Sequence, residues 1–112
     1  IAPIMGSGPD AAWDSGGGCM KFGEASCSGQ VAAWITHGRN DDVVSFCLGE
    51  MTREHWADAN GCDSATSAVG PGECVEHNGC DGSYPVVWCP TDEDHSPPDF
   101  SDAEIWDFFA RF

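Results

Sequence analysis

The chain has 112 residues, 41% of them apolar, with five Trp and six Phe, enough for one ordinary hydrophobic core and too apolar for a disordered segment. Four Lys plus Arg stand against nineteen Asp plus Glu, a formal charge of −15. That charge excludes a nucleic-acid backbone or an anionic membrane surface as the main partner, because both would be repelled, and neutral substrates fit better.

In chain order, Ile1-Ala2-Pro3-Ile4-Met5 is a short apolar run stopped by Gly6-Ser7-Gly8-Pro9, the pattern of a buried strand entering a loop. Residues 9–29 are rich in Gly and Ser and predict a loop with little regular structure, held by a disulfide or by a packed Trp13 and Phe22. Val31-Ala32-Ala33-Trp34-Ile35-Thr36 is a continuous apolar run of strand length, the signature of a parallel strand buried on both faces. Sheets of that kind carry their sites at the carboxyl ends of strands. From Phe46 to Asn60, Leu48, Met51, Trp56 and Ala59 recur near helical spacing among Glu50, Arg53, Glu54 and Asp58, and Asn60-Gly61 stops the helix.

Residues 62–83 show no periodicity and read as loop. Tyr84-Pro85-Val86-Val87-Trp88-Cys89 is the second clear strand, with Pro85 near its start and Pro90 at its end. Ser101-Asp102-Ala103-Glu104 spells a capping box, and Ile105, Trp106, Phe108, Phe109 and Phe112 give the following helix an apolar face. The order favours an α/β architecture with parallel strands and flanking helices over a small disulfide knot. No internal repeat and no domain boundary stands out, no apolar run approaches a membrane span, and no stretch reads as a signal peptide.

The seven cysteines, Cys19, Cys27, Cys47, Cys62, Cys74, Cys80 and Cys89, speak for an oxidising compartment and disulfide-pinned loops. Their odd number leaves one over, which a partner chain or a further segment would absorb, and the connectivity stays open. No doubled Cys-x-x-Cys occurs, against a zinc ribbon or a thioredoxin-like site. Cys74, His77 and Cys80 form a possible ligand set, but a fourth ligand at finger-like spacing is missing and disulfides are the better reading. Asp92, Asp94 and Ser96 alternate as in a calcium loop, yet Pro97 and Ala103 occupy the positions where an EF-hand needs Gly and Glu. Neither a metal nor another cofactor is expected.

His37-Gly38-Arg39-Asn40-Asp41 follows the first buried strand. A carboxylate just past a strand end, after a glycine that permits a tight turn, can project over the sheet edge and bond an imidazole. Asp41 is the candidate acid; Val43-Val44 return the chain to the core, so Asp42 should be solvated. The plainer reading is that both acids merely occupy a turn. His95, after the second strand and before the last helix, is the candidate base, with Asp92 and Glu93 facing solvent. His37, His55 and His77 read as structural or exposed. In an α/β-hydrolase the triad follows the order nucleophile, acid, histidine, so the nucleophile should precede Asp41. No Gly-x-Ser-x-Gly occurs. Ser7 lies between glycines after a strand, but Gly8-Pro9-Asp10 does not open into a helix as a nucleophile elbow must.

The stretches His37-Gly38-Arg39-Asn40-Asp41-Asp42-Val43-Val44, Arg53-Glu54-His55-Trp56-Ala57-Asp58-Ala59-Asn60-Gly61-Cys62, Pro85-Val86-Val87-Trp88-Cys89, Asp94-His95 and Ile105-Trp106-Asp107-Phe108-Phe109 resemble, in that order, secreted feruloyl esterases of the polyhydroxybutyrate-depolymerase-like group. The resemblance covers nearly the whole chain. It implies the C-terminal part of one α/β-hydrolase catalytic domain over residues 1–112, with Asp41 as triad acid and His95 as base. It also implies a serine and oxyanion hole just upstream of residues 1–8. The partner expected is then the N-terminal half of the same enzyme as a separate chain, whether disulfide-linked or not. The implied substrates are hydroxycinnamate esters of plant cell-wall polysaccharide such as xylan, in an extracellular setting. Acetylxylan esterase and polyhydroxyalkanoate depolymerase share the same acid and base, and pocket shape decides between them. Trp13 is an aromatic available to such a pocket, while most Trp should fill the core. The rival of another class is a non-enzymatic, disulfide-rich extracellular binding module, which would need neither Asp41 nor His95.

Overall fold

The computed structural model describes residues 1–4, 11–13, 19–21 and 29–112. Their elements are β1 (Ala11–Trp13), β2 (Cys19–Lys21), β3 (Ala33–Gly38), α1 (Phe46–Ala59), β4 (Thr66–Ala68), β5 (Val75–His77), β6 (Val86–Thr91) and α2 (Ser101–Phe109). The two continuous apolar runs become β3 and β6, which pair in parallel with Ala33 opposite Val86 and Gly38 opposite Thr91. Successive side chains of a strand point to opposite faces. Ala33, Ile35, Val86 and Trp88 therefore pack with Trp56 of α1, while Trp34, Val87 and Cys89 pack with Cys74 and with Phe108 of α2. Both faces are covered, which is why neither strand alternates polar with apolar.

The sheet is mixed rather than parallel throughout. Its order is β3-β6-β5-β4, with β5 antiparallel to β6 and β4 antiparallel to β5. On the other side of β3, residues 1–4 run parallel to it: Ile4 bridges Thr36, and the Trp34 and Thr36 N–H groups donate to Ile1 O at 2.9 Å and Pro3 O at 3.2 Å. The expected first strand is thus one bridge long among the described residues, and Met5 lies outside them.

Segments 9–29 and 62–83, expected as loops, each hold an antiparallel pair, β1 with β2 and β4 with β5. Strands of three residues are too short to show an alternation. Pro90 does not end the second strand: it lies within β6 opposite His37. Ala33 N–H bonds Pro85 O and Arg39 N–H bonds Thr91 O, so odd-numbered β6 peptides face β3 and the Pro90 nitrogen faces the side where β5 has run out. A missing donor costs nothing there.

The capping box does not form either. Phe100 is the N-cap of α2 and makes no side-chain cap bond, while the Ser101 hydroxyl is buried without a hydrogen-bond partner among the described residues. Only Phe108 of the helix's aromatic face is fully buried; Trp106 is 74% exposed, and Phe109 and Phe112 are also open to solvent. No helix of the described residues is long and apolar enough to cross a membrane.

Six cysteines are paired, as Cys19–Cys47, Cys62–Cys80 and Cys74–Cys89, and Cys27 lies outside the described residues. Cys74 and Cys80 are therefore bonded to sulfur, which removes the Cys74, His77, Cys80 ligand set, and the described residues hold no cluster able to bind a metal. Cys74–Cys89 closes a 15-residue separation between the entrance to β5 and the middle of β6, worth about 3 kcal/mol by loop entropy.

A short repeat does exist in the sequence: Asn60-Gly61-Cys62-Asp63 recurs as Asn78-Gly79-Cys80-Asp81. The two copies clasp each other. Their cysteines are joined, Asp63 N–H donates to Asn78 O and Asp81 N–H donates to Asn60 O, both at 2.8 Å. The first copy also ends α1: Gly61 takes φ +66°, and the N–H groups of Gly61 and Cys62 bond Asp58 O and Ala57 O, a Schellman closure. Asn60, fully buried, donates its amide to Val31 O and Tyr84 O at 2.8 Å each and accepts from Val31 N–H at 3.1 Å. It thereby ties the entrances of β3 and β6 together. Asn60→Ala leaves these part-buried backbone groups without their partner and should lower unfolding stability by about 2–4 kcal/mol in urea denaturation, whereas Asn78→Ala, at a less buried position, should cost less than half as much.

Candidate active site

Parallel pairing sets the carboxyl ends of β3 and β6 side by side, so the segments leaving them meet. The structure brings together two of the sequence candidates that lie 54 residues apart: His95 Nδ1 stands 2.9 Å from Asp41 Oδ2. The side chain of Asp41 is fully buried, and that of His95 is 43% exposed. Since Nδ1 faces a carboxylate, the ring carries its proton there, and Nε2 is left for an external partner. Nε2 makes no hydrogen bond among the described residues. Asp42, Asp92 and Glu93 all face solvent.

Asp41 is held from its other side by the chain that follows. Its Oδ1 accepts the N–H groups of Val43 at 2.9 Å and Val44 at 2.8 Å. Burial by itself would raise the Asp41 carboxyl, but the Val44 N–H, His95 and the Val43 N–H together outweigh it and hold the group below the usual aspartate range. The carboxylate is therefore ionised at neutral pH, and one oxygen remains for the imidazole.

The residues between the strand and Asp41 grip the loop that carries His95. Arg39 N–H bonds Thr91 O at 2.8 Å, Asn40 N–H bonds Glu93 O at 3.2 Å, and the Asn40 side-chain amide donates to Asp92 O at 2.6 Å. The Arg39 guanidinium reaches Asp92 at 2.9 Å and also pairs with Glu73 at the approach to β5. Gly38 serves a purpose other than the expected tight turn, since it has no positive φ. A Cβ there would collide with the Glu93 carbonyl and lie 2.7 Å from Asp94 O. Only a glycine lets the base-bearing loop come this close.

Three features of the site escaped sequence reasoning. The Val43 and Val44 donors are backbone and carry no side-chain signal. Asn40 and Arg39 bind backbone and carboxylate groups 34 to 53 residues away. His37, expected as structural or exposed, is fully buried beside the acid, its Nε2 3.4 Å from Asp41 Oδ2. Of the other histidines, His77 Nδ1 bonds Asp63 O at 3.2 Å and His55 packs edge-on against Trp56, both away from the pair. Ser7 and Phe22, the latter expected to pack, lie outside the described residues. Concavities of about 490 Å³ beside Trp88 and Arg53 and about 430 Å³ beside His77 and Arg111 have neither Asp41 nor His95 in their walls.

Two consequences are measurable. Gly38→Ala should cost about 1–3 kcal/mol of stability through overpacking and should speed amide exchange at Asn40, whose N–H bonds the displaced loop. Because the Asp41 carboxyl is depressed in the folded state, its contribution to stability is present above the unfolded aspartate value and is lost as pH falls through the lower folded value. The stability gap between wild type and Asp41→Asn should hold from neutrality down to about pH 4 and close below it, as read from urea midpoints across pH.

No protein-family model matches the chain. Over 108 residues it is 32% identical to feruloyl esterase D of Neurospora crassa, a match that covers 85% of this chain and 37% of that relative. The chain thus spans little more than a third of the length of the esterase it resembles. Most of its residues are therefore related to one part of a feruloyl esterase.

Proposed function

We propose that this chain supplies the acid and the base of a serine ester hydrolase of the feruloyl esterase kind, as the C-terminal portion of an α/β-hydrolase catalytic domain. The nucleophilic serine and the oxyanion donors come from polypeptide outside these 112 residues. The observation that carries the reading is the pair itself: a buried, ionised Asp41 anchored by two backbone N–H groups and bonded to His95 Nδ1 at 2.9 Å, with Nε2 open.

In that reading His95 Nε2 takes the proton of the serine hydroxyl as the serine attacks the ester carbonyl, and the imidazolium then returns a proton to the leaving alcohol. Asp41 keeps the ring in the correct tautomer and stabilises its positive charge without itself becoming protonated. Water, activated by the same Nε2, releases the acid from the acyl-enzyme. The relative's activity supports ferulate esters as the substrate class, and a neutral aromatic ester suits a chain of −15 charge. Three disulfides fit an extracellular location.

The test is hydrolysis of methyl ferulate by the complete enzyme. His95→Ala and Asp41→Asn should each lower kcat/KM by about 10³- to 10⁴-fold with the fold intact by circular dichroism; turnover unchanged in both variants would remove the mechanism. Intact mass under reducing and non-reducing conditions checks the two-segment arrangement. A single inactive species of 11.9 kDa in both would exclude a partner, whereas Cys27 bridged to a peptide outside this sequence would identify one.

A further inference from the structure

His37 is a costly residue for the place it occupies. It lies on the α1 face of β3, fully buried, in line with Ala33 and Ile35, and the edge of the Phe46 ring packs against it at 5.9 Å. Its Nδ1 has no hydrogen-bond partner among the described residues. A Leu or Phe would fill such a space without leaving a buried polar atom unpaired, which costs on the order of a hydrogen bond or more. Helix α1 also gives up a side chain to admit the ring: a Cβ on Gly49 would lie 2.5 Å from Nδ1 and 2.7 Å from Cγ.

What the imidazole does at its other end accounts for this arrangement. Nε2 stands 2.8 Å from Val44 O and 3.4 Å from Asp41 Oδ2. Both neighbours are acceptors, so the ring proton is assigned to Nε2 and Nδ1 is left as the unused lone pair. The same N–H acts on the acid twice. By bonding Val44 O it fixes the peptide unit that follows Val44, next to the residue whose own N–H donates to Asp41 Oδ1 at 2.8 Å. With its positive end toward Oδ2 it also lies beside the oxygen that accepts from His95 at 2.9 Å.

We propose that His37 is a positioning residue for Asp41, fixing through its Nε2–H both the Val44 loop and the inner carboxylate oxygen against which His95 is aligned. This rests on the Ser-His-Asp reading above. Groups that hold a functional side chain in place through a hydrogen bond commonly change activity by about 10- to 100-fold.

The experiment compares H37Q, H37N and H37F in the complete enzyme with methyl ferulate, together with D41N, H95A and the double variant H37F/D41N. Gln can place an amide N–H near the position of Nε2, whereas Asn falls short and Phe has no donor. Expected are kcat within about threefold of wild type for H37Q, and a loss of about 10- to 100-fold in kcat with KM changed less than threefold for H37N and H37F. In the D41N background H37F should cost nothing further, because its effect passes through the carboxylate. The downfield proton resonance of the His95 Nδ1–H should shift in H37F and return in H37Q. Should H37F fail to fold, the H37Q and H37N pair decides, since both are amides of similar polarity that differ in reach. Wild-type kcat in H37N and H37F, or an equal loss from H37F with and without Asp41, overturns the proposal. If D41N and H95A are inactive in that case, the esterase mechanism stands without it; if D41N and H95A turn over normally, both fall.

Discussion

The parallel pairing of β3 with β6 is the constraint on which the rest depends. It aligns two strands from opposite halves of the chain so that both end at the same sheet edge, and the segments that leave those ends bring Asp41 and His95 together. Had the two strands paired antiparallel, Asp41 and His95 would have left the sheet at opposite ends. The six-residue strands are short, and their pairing is secured from both ends. Asn60 ties their entrances from within the core, and Arg39 and Asn40 tie their exits through the peptide groups of residues 91–93. Neither contact involves an apolar side chain, so the register is set by polar bonds at the two ends of the strands while the apolar layers supply the bulk of the stabilisation.

Asp41 is buried, which would by itself disfavour its charge. The fold answers with oriented dipoles instead of a nearby cation. Val43 and Val44 present their N–H groups because the chain turns back toward α1 immediately after Asp41, and His37 reinforces the turn from below. The one arginine of this segment is spent elsewhere, holding Asp92 and Glu73 at the surface. An arginine against Asp41 would have competed with the imidazole for its free oxygen. In a chain of −15 charge with four Lys plus Arg, backbone dipoles are also the more available resource.

Much of the fold could be read in advance because it rests on local or periodic signals. The runs that became β3 and β6 are continuous and apolar, as strands covered on both faces must be, and α1 has an amphipathic spacing closed by Asn60-Gly61. Asp41 and His95 stood out because each follows such a strand. What escaped was set by distant partners. The strands β4 and β5 are three residues each, β5 holding by pairing to β6 and β4 by pairing to β5, Pro90 is tolerated because β5 has already ended, and α2 starts one residue off the capping box, with Phe100 at its N-cap. The twofold Asn-Gly-Cys-Asp clasp is visible in the letters, yet its meaning required knowing that Cys62 bonds Cys80.

By itself the sequence determined composition, charge, the two buried strands, the two helices and which residues are candidates for acid and base, since these follow from side-chain chemistry and short-range periodicity. Only the tertiary structure decided which strands are neighbours, which cysteines are joined and that Asp41 faces His95. It also decided that Gly38 is needed for closeness and that His37 is buried against the acid. Those are facts about pairs far apart in the chain, fixed when apolar burial and parallel pairing select one arrangement in space, and no local pattern carries them.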